Sequence, residues 1–250
     1  MNLQNPKKFK MLVDQAHEVA LNVLRPISRK YDKAEHAYPK ELDMLSSLVD
    51  GMNEGGEGMN AGAAGAGKRS DNEEQGNRNG TNMSTALSII EMCYGDTGLL
   101  LSMPRQGLGN SAIAAVANDE QLERFKGTWA AMAITEPGCG SDSAAIRTTA
   151  TKDGDDYILN GEKIFVTSGE RADSVVVWAT LDKKLGRAAI KSFVVPKGTA
   201  GMKVERLEHK LGIKASDTAV ISFIDCRVPA ENLLGNAEVD IAKGLAGVME

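Results

Sequence analysis

The stretch "AITEPGCGSD" spans residues 133–142 and joins two parts of the chain that differ in texture. A small, apolar start gives way to Thr135, Glu136 and Pro137. Gly138 and Gly140 then flank Cys139, and Ser141 and Asp142 close the run. Glycines in such a loop let main-chain N–H groups approach a guest closely, and the neighbouring hydroxyls favour a guest carrying acceptor oxygens. The pattern points to a phosphate-bearing cofactor.

Upstream the chain reads as helical. Leu12, Val13, Ala16, Val19, Ala20, Val23 and Leu24 recur at three- and four-residue steps, drawing one apolar stripe that Pro26 ends or bends. "YPKELDMLSSLV" opens a second helix, with Pro39 early and Leu42, Leu45 and Leu48 on one face. Residues 51–82 exchange aliphatics for Gly, Ala, Asn and charge, so they are expected to form a mobile insertion, either a lid or docking segment or simply a solvated loop. Helical patterning resumes at Ser84, and Asn118 to Phe125 reads as a capped helix.

Downstream of Gly127, short segments rich in Val, Ile and Thr predict strands: "RTTATK", "YILNGEKIFV", "SVVVWAT", "AIKSFVV" and "TAVISFID". Asp153-Gly154 and Asn160-Gly161 both read as tight hairpin turns. After Val228-Pro229, "EVDIAKGLAGVME" returns to helical spacing through Ile241, Leu245 and Val248. The expected fold is α+β: an all-α N-terminal domain over 1–127, a β-barrel or sandwich middle domain over 128–235, and the start of a C-terminal helical bundle over 236–250.

The 250 residues are 42% hydrophobic and 25% charged, which suits a soluble globular protein. No apolar run approaches the roughly 20 residues of a membrane span. A formal charge of −5, with the basic residues scattered, offers no electrostatic footprint for nucleic acid. Cys93, Cys139 and Cys226 lack metal or redox spacing, and the start shows no signal-peptide pattern, so a reducing, cytoplasmic setting is expected. His17, His36 and His209 are far apart in sequence and no metal site is expected from them. Trp129 and Trp178 are expected in the core.

The helical, β, helical order, with "AITEPGCGSD" at the first junction and "IFVTSG" further on, resembles the acyl-CoA dehydrogenase family of flavoproteins. The likeness extends to "LRPISRKYD", "NDEQLERF" and "HKLGIKASDTAVISFIDCRVPAENLLG", and covers nearly the whole chain outside 51–82. It implies FAD as cofactor. Met132, Ala133, Ile134 and Thr135 would line the flavin, and Gly140 and Ser141 would contact its pyrophosphate. Ser141 would also contact substrate. The family's second flavin segment usually reads Trp-Ile-Thr; here it is Phe165-Val166-Thr167, in which the ring would pack on the flavin and the Thr167 hydroxyl would donate to N5.

The resemblance further implies dehydrogenation of an acyl-CoA thioester across its α and β carbons to a trans-2-enoyl-CoA, in fatty-acid β-oxidation or related catabolism. An electron-transferring flavoprotein would accept the electrons, and the chain would form homo- or hetero-oligomers, dimeric or tetrameric. Leu99 and Leu100 are candidates for the wall along the acyl chain, or plain helix core. The family's base is a glutamate of the C-terminal helical domain, expected beyond Glu250, so no catalytic residue is assigned. Glu136 and Asp142 are read as structural, capping backbone donors, and Cys139 and Cys226 as small fillers. The alternatives are an oxidase or flavin monooxygenase of the same fold, or a catalytically silent subunit supporting a partner.

Overall fold

A computed structural model describes residues 7–54, 81–105 and 108–239. The described chain gathers into two compact units, one drawn from Met1–Gln106 and His209–Ser216, the other from Gly107–Glu208 and Asp217–Glu250. Of the insertion expected over 51–82, residues 51–54 and 81–82 belong to helices and 55–80 lie outside the described residues, as do 240–250 of the helical start expected over 236–250. Among the described residues, no helix is long and apolar enough to cross a membrane.

In the helical unit, α1 (Lys10–Val19) runs through a π-turn (Ala20–Leu24) into α2 (Arg25–Lys33), and α3 (Glu41–Glu54) and α4 (Thr81–Leu101) follow. Pro26 therefore does not end the first helix. Proline lacks an N–H and its ring crowds the carbonyl one turn back. The π-turn ahead of it, in which the Arg25 N–H donates to the Ala20 carbonyl, loosens that turn so that the helix passes on. Ala16, Leu24, Tyr31, Leu42, Leu45, Met92, Leu99 and Met103 form this unit's core. Gly95 lets α4 approach closely, since a Cβ there would lie 2.8 Å from the Ala20 carbonyl oxygen. One residue on, Asp96 leaves helical geometry and its carboxylate accepts the Leu99 N–H at 2.8 Å, restarting the helix.

The second unit opens with α5 (Leu108–Val116) and α6 (Asp119–Arg124), the latter carrying the expected cap as a full capping box between Asn118 and Gln121. Seven strands follow: β1 (Ala130–Ala133), β2 (Thr149–Asp153), β3 (Asp156–Thr167), β4 (Ser174–Thr180), β5 (Ile190–Pro196), β6 (Met202–Leu207) and β7 (Thr218–Pro229). They make one curled mixed sheet in the order β1-β4-β2-β3-β7-β6, with β5 antiparallel on the other side of β4. Both β1 and β2 lie parallel to β4, at opposite ends of it. The inner face buries Tyr157, Leu159, Val175, Val177, Phe193, Ile221 and Phe223.

The Asp153-Gly154 turn forms as expected: Asp153 pairs with Asp156 and Gly154 sits at φ +62. Asn160-Gly161 is not a turn. β3 runs straight through it with a bulge against β7, and the Asn160 amide bridges to Asp225, donating to its carboxylate and accepting its N–H at 2.8 Å. Gly161 serves a close approach instead: a Cβ there would lie 2.4 Å from the Thr148 Oγ1. The same dipeptide that favours a hairpin thus also fits a bulge pressed against a neighbouring side chain.

Candidate functional site

The stretch 133–142 leaves the end of β1 and folds into a tight turn. The Glu136 N–H donates to the Cys139 carbonyl at 3.0 Å, and the Cys139 N–H returns to the Glu136 carbonyl at 3.1 Å. The turn is held to the sheet from below. The Glu136 carboxylate is buried and accepts the N–H groups of Arg147 (2.7 Å) and Thr148 (2.9 Å), the Thr148 hydroxyl (2.6 Å) and the Lys163 ammonium (2.8 Å). Lys163, 0% exposed, also donates to the Ile134 carbonyl at 3.0 Å.

The energetics of this pair follow from its burial. Desolvation pushes the Glu136 carboxyl upward, but hydrogen bonds from Lys163, Thr148 and the Arg147 N–H outweigh it and hold the group below its ordinary value. Burial lowers Lys163, and the attraction of Glu136 offsets this in part. A buried carboxylate that accepts four hydrogen bonds from the fold is committed to holding the loop rather than to proton abstraction. Its structural reading is the one the geometry supports. Cys139 lies beside it, and burial followed by the Glu136 charge pushes its thiol up, away from the reactive thiolate. Cys226 is fully buried and pushed up to about 11 by desolvation.

β3 meets this loop directly: the Ile164 N–H donates to the Thr135 carbonyl at 2.9 Å. Between the pairs Lys163–Ile221 and Val166–Ala219, β3 carries one more residue than β7, so the strand bulges at Ile164 and Phe165. Phe165 stands there at φ +58 with 61% of its surface exposed. Left-handed backbone under a bulky side chain is strained, and an exposed aromatic gains little from the fold in return. That combination marks a position kept for contact with something outside the strand.

Past Thr167 the chain is fixed by a second buried ion pair. Asp217 accepts the Glu170 N–H at 2.9 Å and lies 3.4 Å from the Arg171 Nε, while its carbonyl accepts the Ser168 N–H. Thus one buried acid anchors each of two neighbouring segments.

The Thr135 carbonyl is hydrogen-bonded to Ile164, next to Phe165 and three residues before Thr167 on the same strand. The hydroxyls of Thr135 and Thr167 enter no hydrogen bond among the described residues. The N–H groups of Gly138, Gly140 and Ser141 are likewise unused by the loop's own bonding. Among the described residues, a Cβ at Gly138 or Gly140 would meet no atom within 4 Å, and neither residue has positive φ, so the packing described gives no reason for glycine at either position. Met132 and Ile134 are half-buried, whereas Ala133 and Val166 point into the sheet core and can offer a guest only their main chain. Ser141 is exposed. Leu99 and Leu100 belong to the helical unit, where Leu99 is fully buried in the core and Leu100 packs against it.

Sequence reasoning missed both ion pairs. Lys163 was detectable, because Tyr157, Leu159 and Gly161 share its inward side of the alternation and a lysine there requires a buried acid. Nothing in the local pattern marks Asp217 and Arg171.

The sheet and its loop define the middle domain of a known class of flavoenzymes: residues 131–226 match the family model "Acyl-CoA dehydrogenase, middle domain". Over 252 residues the chain is 33% identical to cyclohex-1-ene-1-carbonyl-CoA dehydrogenase of Syntrophus aciditrophicus, covering 96% of this chain and 55% of that one. It superposes on butyryl-CoA dehydrogenase from Megasphaera elsdenii with a TM-score of 0.74 at 29% identity, over 94% of this chain and 60% of the other. A chain of the structure described as electron transferring flavoprotein of Acidaminococcus fermentans gives a TM-score of 0.76 at 31% identity, over 98% and 62%. The protein belongs to the acyl-CoA dehydrogenase family, and spans about half the length of the curated relatives it matches.

Proposed function

We propose that this chain carries the flavin-facing part of an FAD-dependent acyl-CoA dehydrogenase, acting in fatty-acid β-oxidation or related acyl catabolism. The observation that carries the reading is the surface formed by residues 135–141 and 165–167: two glycines that internal packing does not require, unused N–H groups beside them, two unengaged threonine hydroxyls and a strained, exposed phenylalanine. These are the donors and the flat face that a tricyclic ring and a pyrophosphate need, so the residues present fit FAD.

The chemistry that a bound FAD supplies is acceptance of the β-hydrogen of an acyl thioester as hydride, once the α-proton has been removed. This chain's residues bind and orient. Met132, Ala133, Ile134 and Thr135 line the ring, the last offering its hydroxyl and the others chiefly main chain. Gly140 and Ser141 donate N–H groups to the pyrophosphate, with Ser141 also reaching substrate. Phe165 would cover one face of the ring, Val166 would offer only its main chain, and the Thr167 hydroxyl would donate to ring nitrogen N5, steadying it where charge changes. Of the two leucines expected along the acyl chain, Leu99 is plain helix core with no exposed surface, and only the partly buried Leu100 stays a candidate. The base is not among the residues assigned, since Glu136 is committed to the fold.

Family membership supports an acyl-CoA as substrate, an electron-transferring flavoprotein as acceptor and an oligomeric assembly, whereas the cytoplasmic setting rests on the sequence alone, since several relatives are named mitochondrial. Thr167→Ala tests the assignment. It is expected to slow flavin reduction by acyl-CoA in stopped flow by about 10-fold or more, as loss of one preorganised donor does; unchanged reduction kinetics would remove the Thr167 hydroxyl from the site.

A further inference from the structure

In the helical unit, far in sequence from the flavin segments, the fold assembles a donor set that residue spacing conceals. Glu35 and His36 follow the end of α2, and His209 follows β6, 174 residues from Glu35. One donor atom from each lies within 4.8 Å of the other two. The Glu35 Oε2 and His209 Nδ1 stand 3.0 Å apart, and the rings of His36 and His209 face each other at 5.2 Å between centroids, tilted by 57°. Neighbouring residues of regular backbone face different ways. Glu35 and His36 nevertheless converge, and His36 adopts the left-handed backbone, φ +68, that a non-glycine residue rarely takes. The other Glu35 oxygen accepts the Lys210 N–H at 2.9 Å, which fixes the carboxylate's orientation.

We propose that Glu35, His36 and His209 form a binding site for one borderline divalent transition-metal ion, with Zn2+ as its reference occupant. Two imidazoles and a carboxylate suit Zn2+ and its first-row neighbours rather than Ca2+ or Mg2+, which prefer all-oxygen shells. Zinc bonds of about 2.0–2.2 Å to nitrogen and oxygen put ligand atoms some 3 to 3.5 Å apart in a tetrahedron, so the observed spread closes with small side-chain rotations. Three protein donors leave a position open to water on the exposed side, where His209 is 85% exposed. The ion would clip the His209–Ser216 segment to the end of α2 within one unit. Lys214, close enough to act on Glu35 electrostatically, opposes the ion and keeps the site modest in affinity.

The test is calorimetric titration of the tag-free, chelator-stripped chain with ZnCl2, alongside His36→Ala, His209→Gln and the control His17→Ala. His209→Gln keeps a donor to Glu35 but removes the imidazole, which separates metal binding from the plain Glu35–His209 hydrogen bond. One equivalent should bind, with affinity falling at least about 10-fold in His36→Ala and in His209→Gln and unchanged in His17→Ala. Circular dichroism without zinc checks that each variant is folded. Absence of a saturable single equivalent, or cluster variants that bind within about twofold of the parent, would overturn the proposal.

Discussion

Replacing Lys163 by Met removes one half of a buried ion pair while keeping much of the side chain's volume. The carboxylate of Glu136 would remain 6% exposed with three donors, the Arg147 and Thr148 N–H groups and the Thr148 hydroxyl. Breaking a buried pair on one side costs about 3–5 kcal/mol. Those three surviving bonds place Lys163→Met at the lower end, about 3 kcal/mol. Glu136→Ala is the harsher change, because it strands a buried ammonium with one carbonyl partner and leaves three donors without an acceptor; about 5 kcal/mol is expected. The double variant should lose less than the sum, since each single change already abolishes the same contact. Trp129 and Trp178 both lie in the sheet unit, so tryptophan fluorescence during urea unfolding reports that unit selectively. A Lys163→Met chain within about 1 kcal/mol of the parent would refute the reasoning, since it would mean that the charge is not held in a low-dielectric interior.

Gly161→Ala should destabilise the sheet unit by about 1–3 kcal/mol by the same fluorescence assay, because its Cβ would press on Thr148 and through it on Glu136; a loss below about 0.5 kcal/mol would show that Thr148 gives way freely. In the helical unit, Glu41 accepts hydrogen bonds from Lys30 and Tyr31, which hold its carboxyl down to about 2 from an ordinary 4.5. A depressed acid stabilises the fold above its unfolded value and ceases to do so as pH falls through its folded value. Helical circular dichroism under urea should therefore lose stability between pH 4.5 and about 2, and Glu41→Gln should flatten that slope; an unaltered slope would exclude Glu41 as its source.

Much of the architecture can be read from the residues because strand alternation and helix periodicity are local. The strands downstream of Gly127, the Asp153-Gly154 turn and the Asn118 cap follow from patterns only a few residues long. Asn160-Gly161 departs from its local reading as a hairpin, and of the two readings of Pro26 the structure excludes the end of the helix. Each is a local breaker that a neighbouring device absorbs, a π-turn just ahead of Pro26 and a bulge of β3 against β7 at Asn160-Gly161, and the second depends on a strand distant in sequence. At the candidate site the loop 133–142 and the segment 165–167 stood out as motifs, but their anchors did not. Glu136 reaches Lys163 across 27 residues and Glu170 reaches Asp217 across 47. The cluster of Glu35, His36 and His209 is the extreme case, since only the folded chain brings a residue after β6 to the end of α2.

The most direct test of the central claim is titration of FAD with the protein, followed by flavin fluorescence and absorbance, for the parent and for Gly140→Val. Among the described residues no atom lies within 4 Å of a Cβ placed on Gly140, so the variant should unfold in urea like the parent. Saturable FAD binding by the parent, weakened at least about 10-fold in Gly140→Val, is the expected result for main-chain recognition of a pyrophosphate. FAD binding of equal strength in both proteins would contradict it.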